Sequence, residues 1–172
     1  GGIDMAIYCA GVYTPMHTWE INLQRVDETL RINLLGVYHL LAAILPLYLQ
    51  RQTGGLCLLA SVAGFSGLPK ALAYGPSKAA LINLAQILYS DLSGRGIGVY
   101  LVNPGFVKTR LTQQNDFSMP ALISPEQAAR SILSGMAQGR FEIDFPKRFT
   151  RPMRWLARMP GRLSFYLVKN AV

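Results

Sequence analysis

Three stretches constrain this chain more than any others: Ile3 to Ala10, Leu56 to Ala60 and Ile97 to Val102. Each is an apolar run of strand length, and segments with helical spacing, not tight hairpins, separate one from the next. Strands without a polar face must be covered on both sides, so the pattern predicts a parallel sheet in a doubly wound α/β fold. Ligands of such sheets bind beyond the carboxyl ends of the strands. Here those ends are the stretches after Ala10, Ala60 and Val102.

Between the strands, Leu23, Val26, Leu30, Leu34, Val37 and Leu41 predict one long helix over Ile21 to Gln50, closed by Thr53-Gly54-Gly55. A second helix is expected over Tyr74 to Leu92, with Pro76 in its first turn and Gly94 and Gly96 after its end. Ser61 to Pro69 and Asn103 to Ser124 read as loops. Ser124-Pro125-Glu126-Gln127 reads as a cap that opens a helix to about Met136. Phe141 to Phe145 is a candidate last strand, and two short helices over Thr150 to Met159 and Gly161 to Lys169 follow it.

Composition narrows the class. The chain has 172 residues, 51% of them hydrophobic, which suits one globular domain and not a disordered chain. Two distant cysteines, Cys9 and Cys57, exclude a disulfide scaffold or a cysteine-rich zinc module. Both lie in apolar runs, as buried reduced thiols do, which favours a cytoplasmic compartment. Ile32 to Gln50 carries no charge, but Asn33, His39, Pro46 and Gln50 interrupt it, so a covered helix is expected there and not a membrane span.

The net charge of +8 is uneven: residues 140 to 172 hold eight Lys/Arg against Glu142 and Asp144. With no basic-aromatic clusters elsewhere and no nucleic-acid-binding motif, no nucleic-acid partner is expected. The segment 146 to 172 reads as a basic amphipathic extension, in which Arg151, Arg154 and Arg158 line one helical face and Trp155, Leu156 and Met159 another. Two readings stand for it: a helix lying at a membrane surface, or a completion of the core or of a subunit interface with solvated arginines.

Chemistry concentrates at the strand ends. Cys9-Ala10-Gly11, Ser61, and Pro104-Gly105 with Val107 and Thr109 occupy the three of them, and Tyr74-Gly75-Pro76-Ser77-Lys78 lies between the second and third. Four residues make about one helical turn, so the Tyr74 phenol and the Lys78 ammonium project from one face. A neighbouring cation favours phenolate, which predicts a Tyr74 pKa lowered toward neutrality and able to exchange a proton with a carbonyl or alcohol oxygen. Ser61 can hydrogen-bond that same oxygen. His17 and His39 lie away from the strand ends and from any second metal ligand, so they are expected to be structural and no metal is expected.

Ser61 with a Tyr-x-x-x-Lys beginning thirteen residues later resembles the short-chain dehydrogenase/reductase family. The resemblance extends to Asn33 within Ile32-Asn33-Leu34-Leu35-Gly36 and to Pro104-Gly105 with Thr109, and covers about Gly1 to Met136. It implies an NAD(P)-dependent oxidoreductase that interconverts a carbonyl and an alcohol. Tyr74 is then general acid in reduction and general base in oxidation, and Lys78 lowers its pKa and holds the nicotinamide ribose. Ser61 polarises the carbonyl, Asn33 holds a water that relays protons from Lys78, and Val107 and Thr109 contact the carboxamide. Cys9, Ala10, Gly11, Pro104 and Gly105 complete the cofactor site. NADP is slightly favoured over NAD, and the family habit implies a homo-oligomer paired through the two long helices. A hydrophobic substrate is suggested by Leu111 to Ser124, with Phe117, Met119, Leu122 and Ile123, which resembles the family's lid.

Two departures stand out. Cys9 takes the first place of the family's Asn-Ala-Gly, where a small buried side chain behind the cofactor is expected. The glycine-rich turn that opens the family fold is missing, so the chain reads as the C-terminal part of a Rossmann fold without its first strands, with roughly 80 residues expected upstream at βα-unit size. This stretch alone is expected to bind neither NAD nor NADP usefully. The alternative to an enzyme is a catalytically silent scaffold attached to a membrane or partner through its basic tail.

Overall fold

The structure is a computed structural model that describes residues 2–114 and 118–171. Four parallel strands form one sheet in the order β1 (Met5–Tyr8), β2 (Gly54–Leu59), β3 (Ile97–Pro104) and β4 (Glu142–Phe145). Tyr8 pairs with Leu58, Leu58 with Leu101, and Leu101 with Glu142, so all four carboxyl ends open on one edge of the sheet. The parallel α/β arrangement expected from the sequence is present, and Phe141 to Phe145 does supply the last strand, over Glu142–Phe145.

The expected long helix is continuous but not uniform. It runs as α1 (Leu23–Leu30), a π-helical turn over Arg31–Leu35, and α2 (Gly36–Arg51). The widened turn moves the apolar face: Val37, Leu41, Ile44 and Tyr48 are buried at helical spacing against the sheet. The run Leu23–Arg51 is long and apolar enough to cross a membrane by length and composition. Here those four residues instead join Leu56, Leu58, Leu81 and Leu101 in the main core.

Helix α3 (Tyr74–Leu92) covers the same side of the sheet, burying Leu81, Leu84, Ala85 and Leu88. On the other side α4 (Pro125–Ala137) packs Ala128, Ile132 and Met136 against Cys57, Val102, Ile143 and Phe145. Its start is the expected cap: the Ser124 hydroxyl accepts from Gln127 N and the Gln127 side chain accepts from Ser124 N. The basic segment forms α5 (Lys147–Ala157) and α6 (Gly161–Ala171).

One expectation about this segment is corrected. Arg154 does not share a solvated face with Arg151 and Arg158, because its guanidinium turns inward onto Glu142, with N–O distances of 2.7 and 2.6 Å. Two carboxylates of β4, Glu142 and Asp144, give that face of α5 a reason to point inward: Asp144 accepts from Lys147 and from the buried Thr150 hydroxyl.

Candidate active site

Ser61 follows the end of β2 and caps a 3-10 turn over Val62–Gly64, its hydroxyl accepting from Ala63 N at 3.1 Å. Gly64 lets that turn lie flat on α3, since a Cβ there would sit 2.7 Å from the Lys78 backbone. This contact brings Ser61 to the start of α3. The Tyr74 and Ser61 side chains are hydrogen-bonded, and the Tyr13 ring meets the Tyr74 ring edge-on at 5.1 Å.

One helical turn on, Lys78 is buried and its ammonium donates to the Leu59 carbonyl at 2.8 Å. The same ammonium lies 5.4 Å from the centre of the Tyr74 ring, over its face. Ser61, Tyr74 and Lys78, singled out in the sequence by strand end, helical spacing and family resemblance, are therefore neighbours in space. Gly11 is also at this spot: a Cβ there would lie 3.6 Å from Lys78 Nζ and 3.5 Å from Asn33 Oδ1. The strand-end residues Cys9, Ala10 and Gly11 are exposed beside the lysine. An exposed Cys9 differs from the buried side chain expected, and the reason is its place one residue beyond β1, where the sheet no longer covers it.

Asn33 is fully buried in the π-helical turn. Its Oδ1 accepts from Val12 N at 2.8 Å, and its Nδ2 donates to Val12 O at 3.0 Å and to Ser77 Oγ at 3.1 Å. Both amide protons are spent on protein atoms, so the side chain braces the loop after β1 against α3. Ser77 continues the brace by donating to the Tyr74 carbonyl at 2.7 Å.

Electrostatics revise one expectation. Burial pushes the Tyr74 phenol up to about 12, partly opposed by the hydrogen bond to Ser61, with the nearby Tyr13 phenol adding to the rise. It is not lowered toward neutrality, because burial dominates, and burial also brings the ammonium of Lys78, 5.4 Å from the centre of the ring, down to about 8. The resting site thus holds a protonated phenol near neutral pH.

On the other side of the opening, Pro104 ends β3 and Gly105 donates to the Phe145 carbonyl at 2.7 Å. Thr112 shapes the segment that follows: its hydroxyl donates to Val107 O at 2.7 Å and accepts from Thr109 N at 3.0 Å. Ile123 pairs with Val107 and pins the far end of the apolar segment that closes at Ser124, of which Phe117 lies outside the described residues. Beside Ala63 and Gly75 a mostly apolar cleft of about 880 Å³ opens, lined by Met16, His17, Trp19, Phe65, Leu68 and Pro69. His17 stacks on Trp19 there, with the ring centres 4.4 Å apart.

Several residues at the site escaped sequence reasoning. Tyr13 was legible only as part of the loop after a strand end. Arg154 lies over the Phe65 ring at 4.7 Å, and Phe149 packs on Phe106 at 5.2 Å, close enough that a Cβ on Gly105 would come within 2.7 Å of it. Through these contacts α5 holds the loops after both β2 and β3. The partners are far apart in sequence, and no local signal announces them.

Comparison with known proteins bears on the family and the fold. The family model for short chain dehydrogenase matches residues 1–118. An uncharacterized oxidoreductase of Myxococcus xanthus is 35% identical over 95% of this chain and 64% of its own length. A 3-oxoacyl-[acyl-carrier-protein] reductase of Thermotoga maritima is 29% identical over 82% of this chain and 54% of its own. The chain thus spans less than two thirds of these curated relatives. Among solved structures, a short-chain dehydrogenase from Sphingobium yanoikuyae in complex with NADPH superposes with a TM-score of 0.78 at 21% identity, over 92% of this chain and 66% of that one. A 7beta-hydroxysteroid dehydrogenase gives 0.81 at 14% identity, over 96% and 67%.

Proposed function

This chain belongs to the short-chain dehydrogenase family, and on that premise we propose that the protein carrying it is an NAD(P)-dependent oxidoreductase that interconverts a carbonyl and an alcohol, with Tyr74 as general acid and base. The observation that carries the proposal is the Tyr74 hydroxyl bonded to Ser61 with the Lys78 ammonium beside it.

The residues present suit a nicotinamide cofactor. Gly11 leaves open the space between Lys78 Nζ and Asn33 that any side chain would fill, and Lys78 spends one donor on Leu59, leaving two for ribose hydroxyls. Cys9, Ala10, Gly11, Tyr74, Lys78, Pro104, Gly105, Val107 and Thr109 would hold it. The cofactor supplies or accepts the hydride. Several solved relatives by fold carry NADPH or NADP, which favours NADP here.

In the direction of reduction, Ser61 and Tyr74 both hydrogen-bond the substrate carbonyl oxygen. Tyr74, protonated at neutral pH, then gives its proton to the developing alkoxide. The phenolate that results keeps its hydrogen bond to Ser61, with the Lys78 ammonium beside the ring ready to hold the cofactor ribose. The apolar cleft beside Ala63 and Gly75 supports a hydrophobic substrate. Exposed Tyr38 and Leu47 on α2 and Ile87 and Tyr89 on α3 support pairing of subunits through those helices.

The test is turnover by the full-length protein. NADPH oxidation with a panel of hydrophobic ketones is expected, and its loss in Tyr74→Phe with cofactor binding kept would bear the assignment out. Cofactor binding with no turnover on any carbonyl or alcohol would leave the silent-scaffold reading instead.

A further inference from the structure

Helix α5 has two faces of opposite use. Its inner face is spent on the protein, through Phe149 on Phe106, Thr150 on Asp144 and Arg154 on Glu142. Its outer face presents Arg148, Arg151 and Trp155 at successive helical spacings, continued by Arg158 just past its end, all exposed, with Trp155 65% exposed. None of these three arginines, nor the exposed Arg162, forms an ion pair among the described residues.

Helix α6 adds the apolar half. Only Ser164 and Val168 of its described side chains are buried, while Leu163, Phe165, Tyr166 and Leu167 are exposed, Phe165 at 64%. Downstream of Asp144 the chain contains no acidic residue to oppose the cations. A solvated face would not be expected to gather four large apolar side chains beside unpaired arginines.

We propose that the outer faces of α5 and α6 form a docking surface for an anionic lipid bilayer. Charge complementarity selects the occupant: arginines meet lipid phosphates, and the α6 side chains and Trp155 enter the boundary between headgroups and acyl chains. A nucleic acid would use the arginines but offers no hydrocarbon to cover Leu163, Phe165 and Leu167. Because the inner face of α5 touches the loops after β2 and β3, docking sets the candidate site close to the bilayer. The proposal rests on exposure and charge, independently of the assigned reaction.

Co-sedimentation of the full-length protein with large vesicles tests it. Binding is expected to vesicles that mix phosphatidylglycerol into phosphatidylcholine, and to fall as salt rises. Replacing Arg148, Arg151 and Arg158 together by Gln is expected to weaken binding about 100-fold. Leu163→Ser with Phe165→Ser is expected to weaken it by about 10-fold or more. All five side chains are exposed, so thermal melting is expected to be unchanged, which separates lost docking from lost folding. Trp155 emission, taken as the difference between the protein and its Trp155→Phe variant, is expected to shift to the blue on adding the acidic vesicles. Binding that ignores phosphatidylglycerol, that survives the triple replacement, or that is absent altogether would overturn the proposal, as would tighter binding to duplex DNA than to vesicles.

Discussion

The Lys78 ammonium donates to the carbonyl of Leu59 at 2.8 Å, which anchors the lysine to the end of β2 just before Ser61. One hydrogen bond therefore fixes the distance between the element that carries Ser61 and the helix that carries Tyr74. The anchor is bought by burial, and burial brings the Lys78 pKa down to about 8, below its value in an unfolded chain. Between the two pKa values the unfolded state holds the extra proton, so stability rises with pH over that window and the gain is absent below about 8. Urea unfolding of the full-length protein is expected to show about 2 kcal/mol more stability at pH 9.5 than at pH 8 from this group. Lys78→Met is expected to flatten that slope, and an equal slope in both proteins would refute the assignment.

Asn33 is expected to act on stability before chemistry. Replacing it by Leu strands the Val12 amide and carbonyl and the Ser77 hydroxyl, and should cost about 2–4 kcal/mol. Cofactor affinity should fall with it, since the brace sets the loop that carries Gly11. Denaturant unfolding and cofactor titration of the same variant check both statements.

Gly36 stands where a Cβ would overlap the Tyr8 hydroxyl, which itself donates to the Ile32 carbonyl at 2.6 Å inside the π-helical turn. Gly36→Ala is expected to destabilise by about 1–3 kcal/mol through this overlap. Tyr8→Phe removes the offending oxygen, so the double variant should be less destabilised than the sum of the two single ones. A double-mutant cycle with no coupling would contradict the packing described.

Arg154 ties α5 to the loop after Ser61 through Glu142 on one side and the Phe65 ring on the other. Arg154→Leu is expected to cost about 1–3 kcal/mol and to raise KM for substrate more than it lowers kcat. Arg154→Lys should restore little, because an ammonium cannot span both carboxylate oxygens and cover the ring in the same pose. Full recovery with lysine would mean that charge alone matters.

The sheet, its parallel sense and the Ser61–Tyr74–Lys78 cluster were legible because apolar runs, helical spacing and turn residues act locally. The π-helical turn was not: Arg31 to Leu35 has ordinary helical residues, and its widening depends on Tyr8 and Val12, which reach it from another element. The Tyr74 pKa was missed for a similar reason. Spacing places Lys78 on the same helical face, but the burial that raises the phenol comes from residues such as Tyr13 that other elements bring near. The inward turn of Arg154 depends on carboxylates that only β4 brings near. Periodicity alone had placed it with its solvated neighbours.

The central claim is that Tyr74 moves the proton. The most direct measurement is single-turnover reduction by the full-length protein with NADPH and a hydrophobic ketone, comparing wild type with Tyr74→Phe at matched cofactor occupancy. The expected result is cofactor bound in both and hydride transfer at least about 10²-fold faster in the wild type. Equal transfer rates in the two proteins would contradict the account.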